Sequence, residues 1–155
     1  MNVRIMDNLD LDQAARVHRE AFPRQTRSSE WLACTFRAFP RMLCYVATVE
    51  DTVEGYIVWA QKSGFRPEAV VELEQLAIRP PFQGQGVGTA LINKSLALVR
   101  KELSSQGSRL KHVLVTTRAD NHAQTLYRKT LGAEIEATIS NLYSADEVLM
   151  IARNV

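Results

Sequence analysis

The residues able to do chemistry gather in the middle of the chain. Gln83-Gly84-Gln85-Gly86-Val87-Gly88-Thr89 follows the apolar run 73–78 and the breaker Arg79-Pro80-Pro81, and it opens into a helix-forming stretch over 90–99. Glycine has no Cβ, so backbone N–H groups in such a loop can approach an anion closely. The start of the following helix adds unpaired N–H donors and the positive end of its dipole. A strand, a Pro-marked turn, a glycine loop and a helix, in that order, suit a phosphate or pyrophosphate. Just upstream, Glu72 and Glu74 alternate with Leu73 and Gln75, which puts both carboxylates on one side of a single strand. A carboxylate so placed can act as a general base, directly or through water.

The spacing of the loop departs from two other phosphate-binding patterns. A dinucleotide fingerprint needs Gly-x-Gly-x-x-Gly near a first strand and an acidic residue about 20 residues later. Here the spacing is Gly-x-Gly-x-Gly, the loop is mid-chain, and the stretch around Gly107-Ser108-Arg109 lacks the acid. A P-loop needs Gly-Lys-Ser/Thr, and no lysine precedes Thr89. Another phosphate ligand, or a tight turn with no ligand, stays open on the loop alone.

The elements that must position these groups can be read along the chain. Residues 2–6 are expected as a short strand. Asp10 or Asp12 is placed to cap a helix to about residue 21, with Leu11, Ala14, Ala15, Val17 and His18 on one face. Phe22-Pro23 ends it, and 24–27 form a basic polar loop. Ser28 or Ser29 is placed to cap a helix over 30–39, stopped by Pro40. Strands over 43–49 and 54–61 flank the turn Glu50-Asp51-Thr52 as an antiparallel hairpin. A loop over 62–68 leads to a strand over 69–78, then to the glycine loop and a long helix to about residue 105. Gly107 marks the break after it. A β-branched strand over 111–117, a helix over 121–131 ended by Gly132, and strands over 133–139 and 147–152 complete the chain. No repeat, low-complexity tract or linker interrupts it, which predicts a single domain over 1–155.

Composition narrows the partners. A chain of 155 residues can bury a sizeable core. Its 46% hydrophobic and 23% charged residues are normal for a soluble globular protein. The net charge of +2 is too small to imply nucleic acid by bulk electrostatics. No apolar run is long enough to span a bilayer, and the start Met1-Asn2-Val3-Arg4-Ile5-Met6-Asp7 lacks a signal-peptide core. A cytoplasmic protein with no nucleic-acid or membrane partner is expected, with a homodimer as an open alternative to a monomer. Cys34 and Cys44 sit among apolar residues and are expected as buried thiols. No Cys/His spacing suits zinc, so no metal is expected.

The pattern Gln-x-x-Gly-x-Gly beginning at Gln83 resembles the coenzyme A loop of the GNAT N-acetyltransferase superfamily. The order strand, two helices, three strands, helix, strand, helix, two strands is similar to that fold over nearly the whole chain. The resemblance implies an α/β (α+β) GNAT acyl-CoA N-acyltransferase fold, a mixed central sheet of about seven strands flanked by about four helices. Leu76-Ala77-Ile78, Arg118-Ala119-Asp120-Asn121, Leu126-Tyr127 and Asn141-Leu142-Tyr143 are similar to the RimI-like subgroup, which acetylates protein N-termini. That subgroup carries its base glutamate on the strand before the Arg-Ala-x-Asn segment. Here the position is Thr116, which cannot be a base.

The resemblance also assigns roles. Gln83, Gly84, Gln85, Gly86, Val87, Gly88 and Thr89 would wrap the pyrophosphate of acetyl-CoA. The backbone of Leu76, Ala77 and Ile78 would pair with the pantetheine arm, the Ile78 amide would meet the oxyanion, and Asn121 would touch the arm. Tyr127 would protonate the leaving thiolate, a phenol of pKa about 10 facing a thiol of about 8.5. The spacing departs by one residue: six from Asn121 to Tyr127 and five on to Gly132, where relatives usually show seven and four. Glu72-Leu73-Glu74-Gln75-Leu76 is similar to a string seen in many relatives, which makes Glu72 and Glu74 the expected source of a base. A lysine-like amine is neutral in only about one molecule in 10³ at pH 7, whereas an α-amine of pKa near 8 needs far less help. The expected activity is acetyl-CoA-dependent transfer of an acetyl group to a primary amine of a small molecule, peptide or protein N-terminus, by direct attack in a ternary complex. The alternative is a non-catalytic acyl-CoA-binding regulatory module of the same fold. Acceptor recognition is expected from the loops at 24–27, 62–67 and 141–144.

Overall fold

Apolar periodicity sets the elements. The computed structural model describes residues Met1–Val155. Its elements are β1 (Asn2–Ile5), α1 (Leu11–Ala21), α2 (Ser28–Arg37), β2 (Met42–Val49), β3 (Thr52–Gln61), β4 (Glu68–Ile78), α3 (Val87–Ser105), β5 (Arg109–Arg118), α4 (Ala123–Leu131), β6 (Glu134–Ile139) and β7 (Glu147–Arg153). Short 3₁₀ turns lie at Asn8–Asp10 and Pro80–Phe82. The strands follow the order β1-β2-β3-β4-β5-β7-β6. β4 and β5 run parallel, while β1/β2, β5/β7 and β6/β7 are antiparallel, so the sheet is mixed as expected. The chain packs as two compact units, Met1–Trp59 with Gln75–Val99 and Ala60–Glu74 with Arg100–Val155.

In the first unit, Ala14 and Val17 of α1 and Leu32 of α2 pack with Val46, Val53, Tyr56 and Ala77. β2 passes to β3 through Glu50-Asp51, whose positive φ values of 48° and 60° form the tight turn a twisted hairpin prefers. Gln13 and Arg16 of α1 bond the Val53 N–H and C=O, at 2.8 and 3.1 Å, and so tie the helix to the start of β3. Gly55 sits where a Cβ would meet the Ala77 carbonyl at 3.1 Å and Leu91 at 3.2 Å, so the backbones approach closely. Buried Trp59 donates its indole N–H to Ser95 Oγ at 2.8 Å, anchoring α3.

Neither α1 nor α2 has a side-chain cap bond. The first cap is Asp7, which accepts from the Leu9 N–H at 2.7 Å. Asp10 stands at the N-cap position of α1, as one of the two expected candidates, but its carboxylate makes no cap bond and instead binds Arg4 twice, at 2.6 and 2.9 Å, and the Asp7 N–H. Helix α2 starts at Ser28 behind Arg27 in a left-handed conformation, with no side-chain cap, and ends at Arg37 rather than 39. The Ser28 hydroxyl instead meets Nδ1 of buried His18 at 2.8 Å, whose Nε2 meets Gln25 at 3.0 Å. The thiol expectation holds for buried Cys44 and fails for Cys34, which is exposed on α2.

In the second unit, the β4/β5 register runs from Glu68 and Arg109 to Glu72 and Leu114. β5 pairs with β7 from His112 and Arg153 to Arg118 and Glu147. β6 is the last strand in the order, and all its residues are exposed.

Candidate active site

The glycine loop belongs to the first unit. Gly84 and Gly86 have φ of 72° and 82°, a region costly for any residue with a Cβ. The loop is braced from within. Gln83 donates its side-chain N–H to the Ile78 carbonyl at 2.9 Å, and Gln85 donates to the Pro81 carbonyl at 2.6 Å. The first helical bond of α3 runs from Ala90 N–H to Gly86 C=O. The amides of Val87, Gly88 and Thr89 precede it and have no partner within the helix. Val87 and Gly88 are buried, while Gly84, Gln85 and Gly86 are exposed. Open backbone donors at the positive end of a 19-residue helix make an anion cradle.

Leu76, Ala77 and Ile78 form the last turnless stretch of β4 before this loop. The paired register between β4 and β5 closes at Glu72 and Leu114, although β4 continues to Ile78 and β5 to Arg118. Ala77 is buried, and Leu76 and Ile78 are half-buried.

The other residues that the sequence singles out lie in the second unit. Glu72 is half-buried and forms an ion pair with Lys62 at 2.7 Å. Glu74, two residues on along the same face, is exposed. On the turn before α4, the Asn121 amide is engaged at both ends: Nδ2 donates to Thr117 Oγ1 at 3.0 Å, and Oδ1 accepts from the Ala123 N–H at 2.9 Å. This fixes the start of α4 two residues later than the sequence suggests. Tyr127 is buried to 7% exposure, and its hydroxyl has no hydrogen bond within the protein. Burial pushes its phenol up to about 12.

Residues 11–133 match the model of the Acetyltransferase (GNAT) family. The chain belongs to the GNAT acetyltransferase family. It is therefore an acetyl-CoA-dependent N-acetyltransferase. Among solved structures it is similar to an aminoglycoside 6'-N-acetyltransferase complexed with coenzyme A, with a TM-score of 0.78, 18% identity and coverage of 100% of this chain and 98% of that one. It is also similar to the ribosomal-protein-S18-alanine N-acetyltransferase of Escherichia coli, with a TM-score of 0.74, 21% identity and coverage of 99% and 93%. Ard1 of Thermoplasma volcanium gives a TM-score of 0.75, 23% identity and coverage of 99% and 97%. At these identities the likeness is one of fold. No curated protein matches the sequence significantly.

Two features of this GNAT chain escape sequence reasoning. Arg79, legible only as part of a breaker, donates to Glu20 of α1 at 2.8 Å and to buried Glu54 of β3 at 2.7 Å, while its own N–H bonds the Glu54 carbonyl. It pins the turn that launches the glycine loop. Gln75, next to the candidate base, accepts from Trp31 of α2 and Tyr56 of β3 through one oxygen. Nothing in local spacing points to partners 44 and 19 residues away.

Proposed function

We propose that this enzyme moves the acetyl group of acetyl-CoA straight to a primary amine of a small molecule, peptide or protein N-terminus within a ternary complex. The observation that carries the reading is the braced loop, with left-handed Gly84 and Gly86 at the N-terminus of α3. Residues 83–89 take the pyrophosphate, and backbone N–H and C=O groups of Leu76, Ala77 and Ile78 pair with the pantetheine amides as a sheet edge pairs with an added strand. The register that closes at Glu72 supports this use of the rest of β4. Asn121 holds the turn ahead of α4, and its second Nδ2 hydrogen serves the arm.

In the reaction, the carboxylates of Glu72 and Glu74 supply the base that makes the amine neutral. The amine nitrogen attacks the thioester carbon, the Ile78 amide donates to the oxyanion, and the C–S bond breaks with its electron pair going to sulfur. The proton lost by the new amide nitrogen ends on the thiol. Tyr127 assists by donating a hydrogen bond to the departing sulfur. With its phenol near 12, outright proton transfer to a thiolate of about 8.5 would be uphill by about 5 kcal/mol. Free Cys34 and Cys44 suit a reducing cytoplasm, and no helix is long and apolar enough to cross a membrane. A homodimer through the β6 edge suits exposed Ile135 and Ile139.

Replacing Glu72 and Glu74 together by Gln tests the base. Turnover should fall about 10²-fold and the acidic limb of the pH–rate profile should vanish, with affinity for coenzyme A unchanged. A double variant that keeps the wild-type profile would remove both glutamates from the mechanism.

A further inference from the structure

The glycine loop hangs from the short segment at residues 78–81. The Phe82 N–H bonds the Arg79 carbonyl at 2.9 Å, and the Gln83 N–H bonds the Pro80 carbonyl at 3.3 Å. The side chains of Gln83 and Gln85 reach back to the carbonyls of Ile78 and Pro81, at 2.9 and 2.6 Å. These bonds all end on one segment, between the last residue of β4 and the loop itself. Gly84 and Gly86 have no side chains with which to brace themselves. The place of the cradle is therefore inherited from 78–81.

Arg79 holds that segment with its backbone and its side chain together. Its N–H donates to the Glu54 carbonyl at 3.0 Å. Its Nη1 donates to Glu54 Oε2 at 2.7 Å and its Nε to Glu20 Oε2 at 2.8 Å. Glu54 is buried in β3, and Glu20 lies exposed near the end of α1. One guanidinium thus ties the root of the loop to a strand and to a helix of the same compact unit. Charge-assisted bonds of this kind are the strong ones. Two carboxylates against one guanidinium leave the cluster net negative. A net negative group at the root of an anion cradle opposes the anion by its field, so charge attraction does not explain the cluster.

We propose that Arg79 is a positioning residue for the pyrophosphate cradle: with Glu20 and Glu54 it holds residues 78–81 where the loop amides converge on the anion, and it makes no phosphate contact of its own. The assignment rests on the acetyl-CoA reading of the loop. It carries a consequence opposite in sign to simple electrostatics. By Coulomb attraction alone, neutralising Glu54 or Glu20 would strengthen the binding of an anion. As parts of a positioning cluster, their loss lets the segment shift, and loop N–H groups that move away from the phosphate oxygens lose their hydrogen bonds. The pyrophosphate is remote from the bond that breaks and is held alike before and during reaction. Losing its cradle therefore raises KM for acetyl-CoA and leaves kcat little changed.

The experiment is calorimetric titration of coenzyme A into wild type, Arg79→Met, Arg79→Lys, Glu54→Gln and Glu20→Gln, well below the melting temperature of each. Arg79→Met should weaken binding at least about tenfold, and Arg79→Lys should recover part of the loss. Glu54→Gln should weaken it about threefold or more, although it removes a negative charge. Glu20→Gln, at an exposed position, gives the same sign and keeps the test open if Glu54→Gln does not fold. The double variant of Arg79→Met and Glu54→Gln should bind no more weakly than Arg79→Met alone, because both act through one contact. S-acetylpantetheine lacks the pyrophosphate, so its kcat/KM should be equal in wild type and Arg79→Met while that of acetyl-CoA falls. Tighter coenzyme A binding in either glutamine variant, unchanged affinity in Arg79→Met, fully additive losses, or equal losses with the two acetyl donors would overturn the assignment. Wild type that fails to bind coenzyme A would refute the reading of the loop and this assignment with it, whereas wild-type binding beside unchanged variants would refute the assignment alone.

Discussion

The role proposed for Tyr127 makes two physical demands. A hydroxyl that assists a leaving thiolate must be protonated, and it must not be tied to another acceptor. Burial keeps it protonated by pushing its phenol up to about 12, and no protein group takes its hydrogen bond. Tyr127→Phe should therefore lower kcat and kcat/KM together by about 10²-fold, the mark of a contact made in the transition state. Because the folded phenol loses its proton only near 12, Tyr127 should contribute no basic limb below about pH 11. Steady-state pH profiles of the two proteins check this, and a fall near pH 10 that disappears in Tyr127→Phe would contradict the burial account. Leu126-Tyr127 and the spacing from Ala123 point to Tyr127 as a candidate, but its burial depends on how α4 packs and is not written in that spacing. Gln75 illustrates the limit more sharply: a glutamine on a half-buried strand is unremarkable until Trp31 and Tyr56 arrive from two other elements to orient it.

At the scale of elements, strands and helices were readable because apolar spacing and breakers agree. Gly107 and Gly132 end α3 and α4, and β4 was placed to within a residue. Caps were less readable, because short polar side chains have competing partners. Asp10 shows why. Burial alone pushes its carboxyl up, but the Arg4 guanidinium and the Asp7 N–H outweigh that and hold it below its ordinary 3.8. A depressed folded pKa stabilises the fold fully above about pH 4, and the contribution is lost as pH falls below that value. The urea midpoints of wild type and Asp10→Asn should thus differ at pH 7, and the gap should narrow as pH falls below the ordinary 3.8. A constant gap would contradict the Arg4 contact. The glycine loop gives a second element-scale outcome. Gly86→Val places a β-branched residue at a φ of 82° on the cradle itself. It should cost about 1–2 kcal/mol of stability and abolish the rise in melting temperature that coenzyme A gives wild type. A full ligand-induced rise in Gly86→Val would place the pyrophosphate elsewhere.

For the whole molecule, the family match over residues 11–133 and the order of seven strands establish what kind of enzyme this is. Thr116 stands where the RimI-like subgroup has its base, and Trp31 of α2 bonds Gln75 of β4. The alternative, a module that binds acyl-CoA without turning it over, shares the fold and the loop, so binding alone cannot separate the two. The decisive measurement is release of free thiol from acetyl-CoA, followed alongside the mass of the amine, over α-aminoacyl amides, lysine peptides, polyamines and aminoglycosides. The account predicts thiol release that depends on the amine and matches, mole for mole, an acceptor 42 Da heavier, about the mass of one acetyl group replacing one hydrogen. Saturable coenzyme A binding with no amine-dependent thiol release from any acceptor would contradict it.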